Sequence, residues 1–268
     1  HSSSLCLNAT EDTAVSESMR ILCNGKDNIM KVLLLNGSPR REKSCTIRVA
    51  HKFVDGLREE AACEVEEINI SDCKITPCLG CLSCWGRTEG ECVIKNDDIP
   101  MLKEKILAAD IIIESYPLYF FGMPGIMKVF TDRMLSMMCT YEGQSPVAGQ
   151  PFHGIRGGMS GKKFVIVSTC GYAQTDLIYD PLLKEYDCIC GSGNYYALLC
   201  PQGKTLSVPE LHDRMEVYLE KYVDAGRELA RTGALTDETM LKLREAPFNE
   251  RRFKLLLKKF WENERGNV

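Results

Sequence analysis

The sequence predicts an α/β fold: a doubly wound parallel sheet of five strands in the order 2-1-3-4-5, followed by a helical C-terminal extension. Three observations carry this. Short, nearly unbroken apolar runs such as MKVLLLN and DIIIESY read as strands buried on both faces. Helix-length segments separate them, as right-handed crossovers between parallel strands require. The loops after the first, third and fourth strands carry unusual Gly-, Ser- and aromatic-rich sequence, where a doubly wound sheet gathers its ligand.

Residues 1–29 show neither strand alternation nor a helical face and are expected to form a poorly ordered leader. They lack the apolar segment of a signal peptide, so Asn-Ala-Thr at Asn8 is expected to be an idle glycosylation match. Met30–Asn36 is the first strand, Ser44–Glu60 a helix and Cys63–Ile70 the second strand, from which a cysteine-rich loop hangs. Ile99–Ala109 reads as a helix and Asp110–Tyr116 as the third strand. Pro124–Met138 reads as a helix with Pro near its start, where the missing N–H costs nothing. Lys162–Thr169 is the fourth strand, a helix lies near Leu177–Glu185, and Tyr195–Cys200 is the fifth strand. Pro209–Thr232 is a long amphipathic helix with Leu211, Met215, Tyr218, Tyr222 and Leu229 on one face. The sheet domain is thus expected over residues 30–233, with 234–268 as a helical extension. In that extension Phe253, Leu256, Leu257 and Phe260 form an apolar stripe suited to its own domain or a dimer mate.

Composition narrows the function. The 268 residues are 44% hydrophobic, ample for a core. A net charge of −4 and a pI near 5.7 offer no basic face for nucleic acid. No apolar run approaches the roughly 18 residues of a membrane span. Fourteen cysteines without a signal peptide fit free thiols in a reducing cytoplasm.

Four of them, Cys78, Cys81, Cys84 and Cys92, fall within fifteen residues as Cys-x2-Cys-x2-Cys-x7-Cys. Thiolates so close repel one another unless a metal or cluster takes up their charge. Three at intervals of three can wrap one side of an iron–sulfur cluster, most often 4Fe–4S. A tetrahedral zinc site is the rival, though zinc usually takes two separated Cys-x-x-Cys knuckles. A metal-free loop is the third alternative.

The first strand runs into NGSPRREKSCT, whose Gly37 permits a tight turn and whose Ser38, Ser44 and Thr46 offer hydroxyls at a helix start. Such a loop suits a phosphate monoester such as that of FMN, with Arg40 adding a bidentate contact. An ordinary Ser/Pro turn capping a helix is the alternative. After the third strand, Pro117, Leu118, Tyr119, Phe120, Phe121 and Gly122 can frame a flat ring. Lys128 and Asp132, four apart on the following helix, read as an ion pair. The third loop, STCGY, holds Thr169, Gly171 and Tyr172, with Cys170 as a reactive thiol or a buried spectator.

Together, NGSPR…S-x-T, PCLGCLSCWGRTEGECVIKNDD and PLYFFGMPGIMKVFTDR resemble the NAD(P)H-dependent FMN reductase superfamily, and within it the iron–sulfur flavoprotein branch. The resemblance covers about Met30 to Cys200. It implies a flavodoxin-like fold that binds FMN, assembled as a homodimer or homotetramer with flavin sites near subunit contacts. The phosphate role maps to Ser38, Arg40, Ser44, Cys45 and Thr46, and the ring to Pro117–Gly122 with Thr169, Gly171 and Tyr172. A 4Fe–4S cluster maps to Cys78, Cys81, Cys84 and Cys92. The implied activity passes electrons from NAD(P)H through FMN to a quinone, nitro, azo or other small acceptor, with no catalytic acid or base. One alternative is an electron carrier fed by ferredoxin; another, of a different class, is a redox-sensing binding module with structural zinc. His153 and Arg156, in the long Gly-rich connection from Cys139 to Gly161, are candidates to meet substrate or nicotinamide.

Overall fold

The strands hydrogen-bond as one parallel sheet ordered β2-β1-β3-β4-β5, built from β1 (Met30–Asn36), β2 (Cys63–Asn69), β3 (Ile111–Pro117), β4 (Lys163–Thr169) and β5 (Tyr196–Cys200). The computed structural model describes residues 29–140, 147, 149–157 and 161–266. Residues 1–28 of the expected leader, with Asn8, lie outside the described residues, as do parts of the Gly-rich connection. Register sets the ligand edge: Asn36 is level with Ser115, and Pro117 with Thr169, so the loops after β1, β3 and β4 leave side by side.

Strand alternation divides the core between the two sheet faces. Val32, Leu34, Ile111, Ile113, Val165 and Val167 pack under α1 (Cys45–Glu60) and the long C-terminal helix His212–Thr232. Leu33, Leu35, Ile112 and Ile166 pack under α2 (Ile99–Ala108), α3 (Gly125–Arg133) and α4 (Asp180–Cys190). The helix His212–Thr232 is α5, and it crosses α1 at two glycines. A Cβ on Gly56 would stand 2.0 Å from the Val223 carbonyl oxygen, and one on Gly226 2.1 Å from that of Phe53. Only backbones without side chains approach so closely.

Three helices differ from the sequence expectation: the one expected from Pro209 begins at His212, after a separate 3-10 turn over Pro209–Leu211, and the other two differ for local reasons. The helix expected to Met138 ends at Arg133 and tightens into a 3-10 turn over Met134–Met137, where the Leu135 carbonyl accepts the Trp85 indole N–H at 3.2 Å. The helix expected from Leu177 begins at Asp180, because Leu177 is left-handed at φ 65°. Beyond α5, α6 (Asp237–Arg244) and α7 (Glu250–Gly266) dock on the same core through Leu243, Phe248 and Phe253. Leu256 and Leu257 pack against that core, and Lys204 lies over the Phe260 ring at 4.3 Å. The tail's apolar stripe is therefore turned onto its own chain.

Candidate functional site

Three loops meet at the carboxyl ends of β1, β3 and β4. Gly37 N–H donates to the Ser115 carbonyl and Leu118 N–H to that of Thr169, both at 2.9 Å. The Thr46 and Thr169 hydroxyls lie 2.6 Å apart in the core, joining the first loop to the third. All three sequence-assigned loops thus form one edge.

The first loop folds on its own side chains. Asn36 Oδ1 accepts the Ser38 N–H at 3.1 Å, and Ser38 Oγ accepts that of Arg40 at 3.3 Å. Ser44 caps α1 by accepting the Thr46 N–H at 3.1 Å, and the helix start directs its N–H groups into the loop. Gly37 has no alternative, since a Cβ there would lie 2.0 Å from Met127 Cγ. Ser38, Ser44 and Thr46 are buried, Cys45 is half-buried, and Arg40 is exposed. Arg41 is committed elsewhere, paired with Asp72.

The second loop is a two-residue turn. Tyr119 and Gly122 exchange N–H···O bonds of 2.9 and 3.0 Å, while Phe120 and Phe121 between them sit at φ 48° and 67°. Gly and Asn ordinarily fill such positions. For aromatic residues the geometry costs on the order of 1–3 kcal/mol each. Phe120 is 99% exposed, and Phe121 stacks on Tyr172 with centroids 6.0 Å apart and planes at 25°. The edge can therefore take an anion at the α1 start and a flat apolar ring beside it. Cys170 is buried, and burial pushes its thiol up, so it is a core residue rather than a nucleophile.

The cysteine loop turns through left-handed Gly80 and Leu82, at φ 63° and 53°. Gly80 N–H donates to Cys78 Sγ at 3.5 Å. Cys84 is buried, Cys78 and Cys92 half-buried and Cys81 exposed. Burial first, and then the charges of Cys92, Cys78 and Cys81, raise the Cys84 thiol, so all four lie within electrostatic reach. Hydrogen bonds to Ser83 hold the Cys81 thiol down. Among the described residues no three His, Cys, Asp or Glu side chains form a ligand set for a single ion. Among them eleven cysteines are free thiols, while Cys139 is disulfide-bonded, an exception to the reduced set expected from composition.

Side chains assigned elsewhere from sequence lean on this loop. His153 packs on Trp85 with centroids 5.1 Å apart, and Arg156 pairs with Glu89 at 2.9 Å. The structure places both against the cysteine loop. Lys128 forms the expected pair with Asp132 and also reaches Glu185 at 3.6 Å.

Between the cysteine loop and α4 opens a cavity of about 590 Å³, lined by Ile112, Phe130, Phe152, Phe164 and Tyr186 with Cys78 at its rim. Glu114, on β3, also lines it and accepts a hydrogen bond from the Tyr186 hydroxyl. Burial lifts the Glu114 carboxyl to about 7. Sequence analysis missed this group; its only signal is an acid inside the apolar run DIIIESY.

Among known proteins, an iron–sulfur flavoprotein of Methanocaldococcus jannaschii is 34% identical over 120 residues, 45% of this chain and 60% of its own. An FMN-dependent NADH:quinone oxidoreductase of Exiguobacterium is 34% identical over 128 residues, 44% of this chain and 61% of its own. The chain thus spans about 60% of the length of these relatives. In structure, an NAD(P)H:quinone oxidoreductase from Methanothermobacter marburgensis superposes with a TM-score of 0.56 at 23% identity, over 75% of this chain and 96% of its own. An FMN-dependent NADH-azoreductase from Bacillus anthracis, in complex with FMN, superposes at 0.53 and 17% identity, over 77% and 100%. These likenesses concern the fold. A family profile matches residues 30–180, the stretch that holds β1 to β4 and all three loops, and the chain belongs to this family of flavodoxin-like fold.

Proposed function

We propose that the chain is an FMN-dependent oxidoreductase that draws electrons from NAD(P)H and passes them to a quinone, nitro, azo or similar small acceptor. The bonded three-loop edge carries the reading, because it joins an anion-binding helix start to uncovered aromatic faces. FMN fits these residues. Its phosphate matches the hydroxyls of Ser38, Ser44 and Thr46, the N–H groups at Cys45 and the exposed Arg40. Its ring matches the backbone and side chains of Pro117–Gly122 together with Thr169, Gly171 and Tyr172. Bound FMN supplies the redox chemistry, exchanging electron pairs with nicotinamide and acceptor. The protein's residues bind the phosphate, orient the ring by the strained Phe120–Phe121 turn and shed water from its face with Tyr172. No side-chain acid or base at this edge is needed.

The same reading assigns a 4Fe–4S cluster to Cys78, Cys81, Cys84 and Cys92. The fit rests on four thiols in one loop, of which the buried Cys84 lies within the electrostatic reach of Cys78, Cys81 and Cys92. A cubane takes one thiolate per iron and spaces its ligands more widely than zinc does. Such a cluster supplies one-electron chemistry. A second reading, an electron carrier fed by ferredoxin, draws on the exposure of Cys81 between Leu79 and Leu82, which are 69% and 52% exposed. That apolar collar suits contact with a small electron-carrier protein. A homodimer or homotetramer in the cytoplasm belongs to the same proposal. Among the described residues no helix is long and apolar enough to cross a membrane.

The test is an absorption spectrum of anaerobically purified protein, with iron and acid-labile sulfide assayed on the same sample. Flavin bands and NAD(P)H-dependent quinone reduction are expected; flavin with iron but no nicotinamide oxidation favours the ferredoxin-fed carrier. Failure to retain added FMN overturns both, and zinc without flavin would leave a structural-metal module.

A further inference from the structure

One charge lies beneath the cysteine loop where a simple surface loop needs none. The Arg133 side chain, at the end of α3, has no exposed surface and pairs with an equally buried Asp97. Its Nη1 donates to the Thr76 carbonyl at 2.6 Å and its Nη2 to the Ile94 carbonyl at 3.1 Å. Thr76 precedes Cys78 by two residues and Ile94 follows Cys92 by two. One guanidinium thus ties together both ends of the segment that carries all four cysteines. Asp97 completes the knot by accepting the N–H groups of Thr76 at 3.1 Å and Ile99 at 3.3 Å.

Two further observations go beyond fastening. Arg133 Nε is buried and has no hydrogen-bond partner among the described residues, an expense that folded proteins rarely leave standing. Its Nη2 bond to the Ile94 carbonyl, two residues beyond Cys92, also sets the guanidinium beside that end of the cysteine segment. An N–H donor buried beside a thiol assigned as a cluster ligand is suited to a sulfur acceptor.

We propose that Arg133 is a positioning residue for the iron–sulfur cluster, fastening the neck of the Cys78–Cys92 loop and raising the cluster's reduction potential by its charge beside Cys92. This rests on the cluster reading above. Reduction adds one electron, and hence negative charge, to the cluster, and a buried cation stabilises that form. The Asp97 carboxylate acts in the opposite sense. The two partners therefore predict shifts of opposite sign, which a purely structural clamp does not.

The experiment uses the full chain reconstituted anaerobically with iron and sulfide, then titrated with dithionite, the one-electron donor, while electron paramagnetic resonance follows the reduced cluster. Asp97→Asn is expected to raise the potential. The neutral pair Arg133→Gln/Asp97→Asn, which leaves no buried charge unpaired, is expected to fall below Asp97→Asn by at least tenfold in the reduction equilibrium, about 59 mV for one electron. Arg133→Lys, which keeps the charge but loses the fork, is expected to surrender iron to a chelator about tenfold faster. Wild-type protein that takes up no iron overturns the cluster reading itself. Iron-loaded wild type with equal potentials in Asp97→Asn and the double variant overturns the tuning role and leaves the cluster intact. Unchanged iron release from Arg133→Lys overturns the fastening role.

Discussion

Replacing Glu114 with Gln is expected to stabilise the protein in alkaline solution while changing it little in mild acid. Glu114 is 6% exposed, on β3 facing Tyr186 and the apolar cavity. Burial, partly offset by the Tyr186 hydrogen bond and reinforced by the charge of Glu185, lifts its carboxyl from 4.5 to about 7. An acid that holds its proton more tightly when folded favours the native state while protonated. That advantage is fully present below 4.5, where both states are protonated, and is lost as pH rises toward about 7. The gap, at about 1.4 kcal/mol for each pH unit, amounts to about 3 kcal/mol. Tyr116, Tyr186 and Cys190 contribute nothing across this window, since burial pushes each further above neutrality. Gln keeps the shape and accepts the Tyr186 hydrogen bond but does not ionise. The assay is urea unfolding of both proteins at about pH 5 and pH 8.5. The stability gain of Glu114→Gln should grow by about 2–3 kcal/mol between the two. An equal difference at both pH values would show that Glu114 is not the titrating group and refute the argument.

Gly226→Ala is expected to destabilise the fold by more than the usual 1–3 kcal/mol of overpacking, because the new methyl meets a backbone oxygen at 2.1 Å that cannot rotate aside; calorimetric Tm reads it directly. Phe120→Gly removes left-handed strain from a side chain that is 99% exposed, so it should be neutral to stabilising by about 1 kcal/mol in thermal melts, while FMN titration shows weaker binding. Thr46→Val leaves the Thr169 hydroxyl without its partner and should cost about 1–2 kcal/mol of stability and about tenfold in FMN affinity, followed by quenching of flavin fluorescence. Cys84→Ser, at the buried member of the quartet, should abolish iron uptake on reconstitution yet leave flavin binding within about twofold, since the two groups use different loops.

The inner strands were legible because β1, β3 and β4 are largely buried on both faces, which makes them nearly continuous apolar runs that no amphipathic helix imitates. Helix boundaries failed where local backbone or a distant contact intervenes. Leu177 carries no mark of its left-handed conformation, and α3 yields to a 3-10 turn where its carbonyls meet Trp85 from a loop distant in sequence. The C-terminal stripe was legible as apolar, but its partner was not. Whether Phe253 covers its own core or another chain depends on where α6 turns, which periodicity does not report.

At the site, residue type named the loops and could not name their geometry. Ser38, Ser44 and Thr46 are read from sequence as hydroxyls near a helix start; that Thr46 bonds Thr169, 123 positions away, follows only from strand register. The Phe120–Phe121 turn is invisible for the opposite reason, since neither residue favours a left-handed turn. His153 and Arg156 illustrate the same limit: their types suggest ligand chemistry, and their positions bind them to the cysteine loop. Arg133 is the sharpest case. Its type and its place beside Asp132 give no sign of burial, yet it is among the largest fully buried side chains. Its partners come from carbonyls 57 and 39 residues away, at the two ends of a loop whose only regular element among the described residues is the 3-10 turn Ser83–Trp85. A long irregular loop needs such an internal tie, because its own backbone groups cannot all pair with one another. Burying the tie's charge, in turn, demands a counter-charge, and the equally buried Asp97 supplies it.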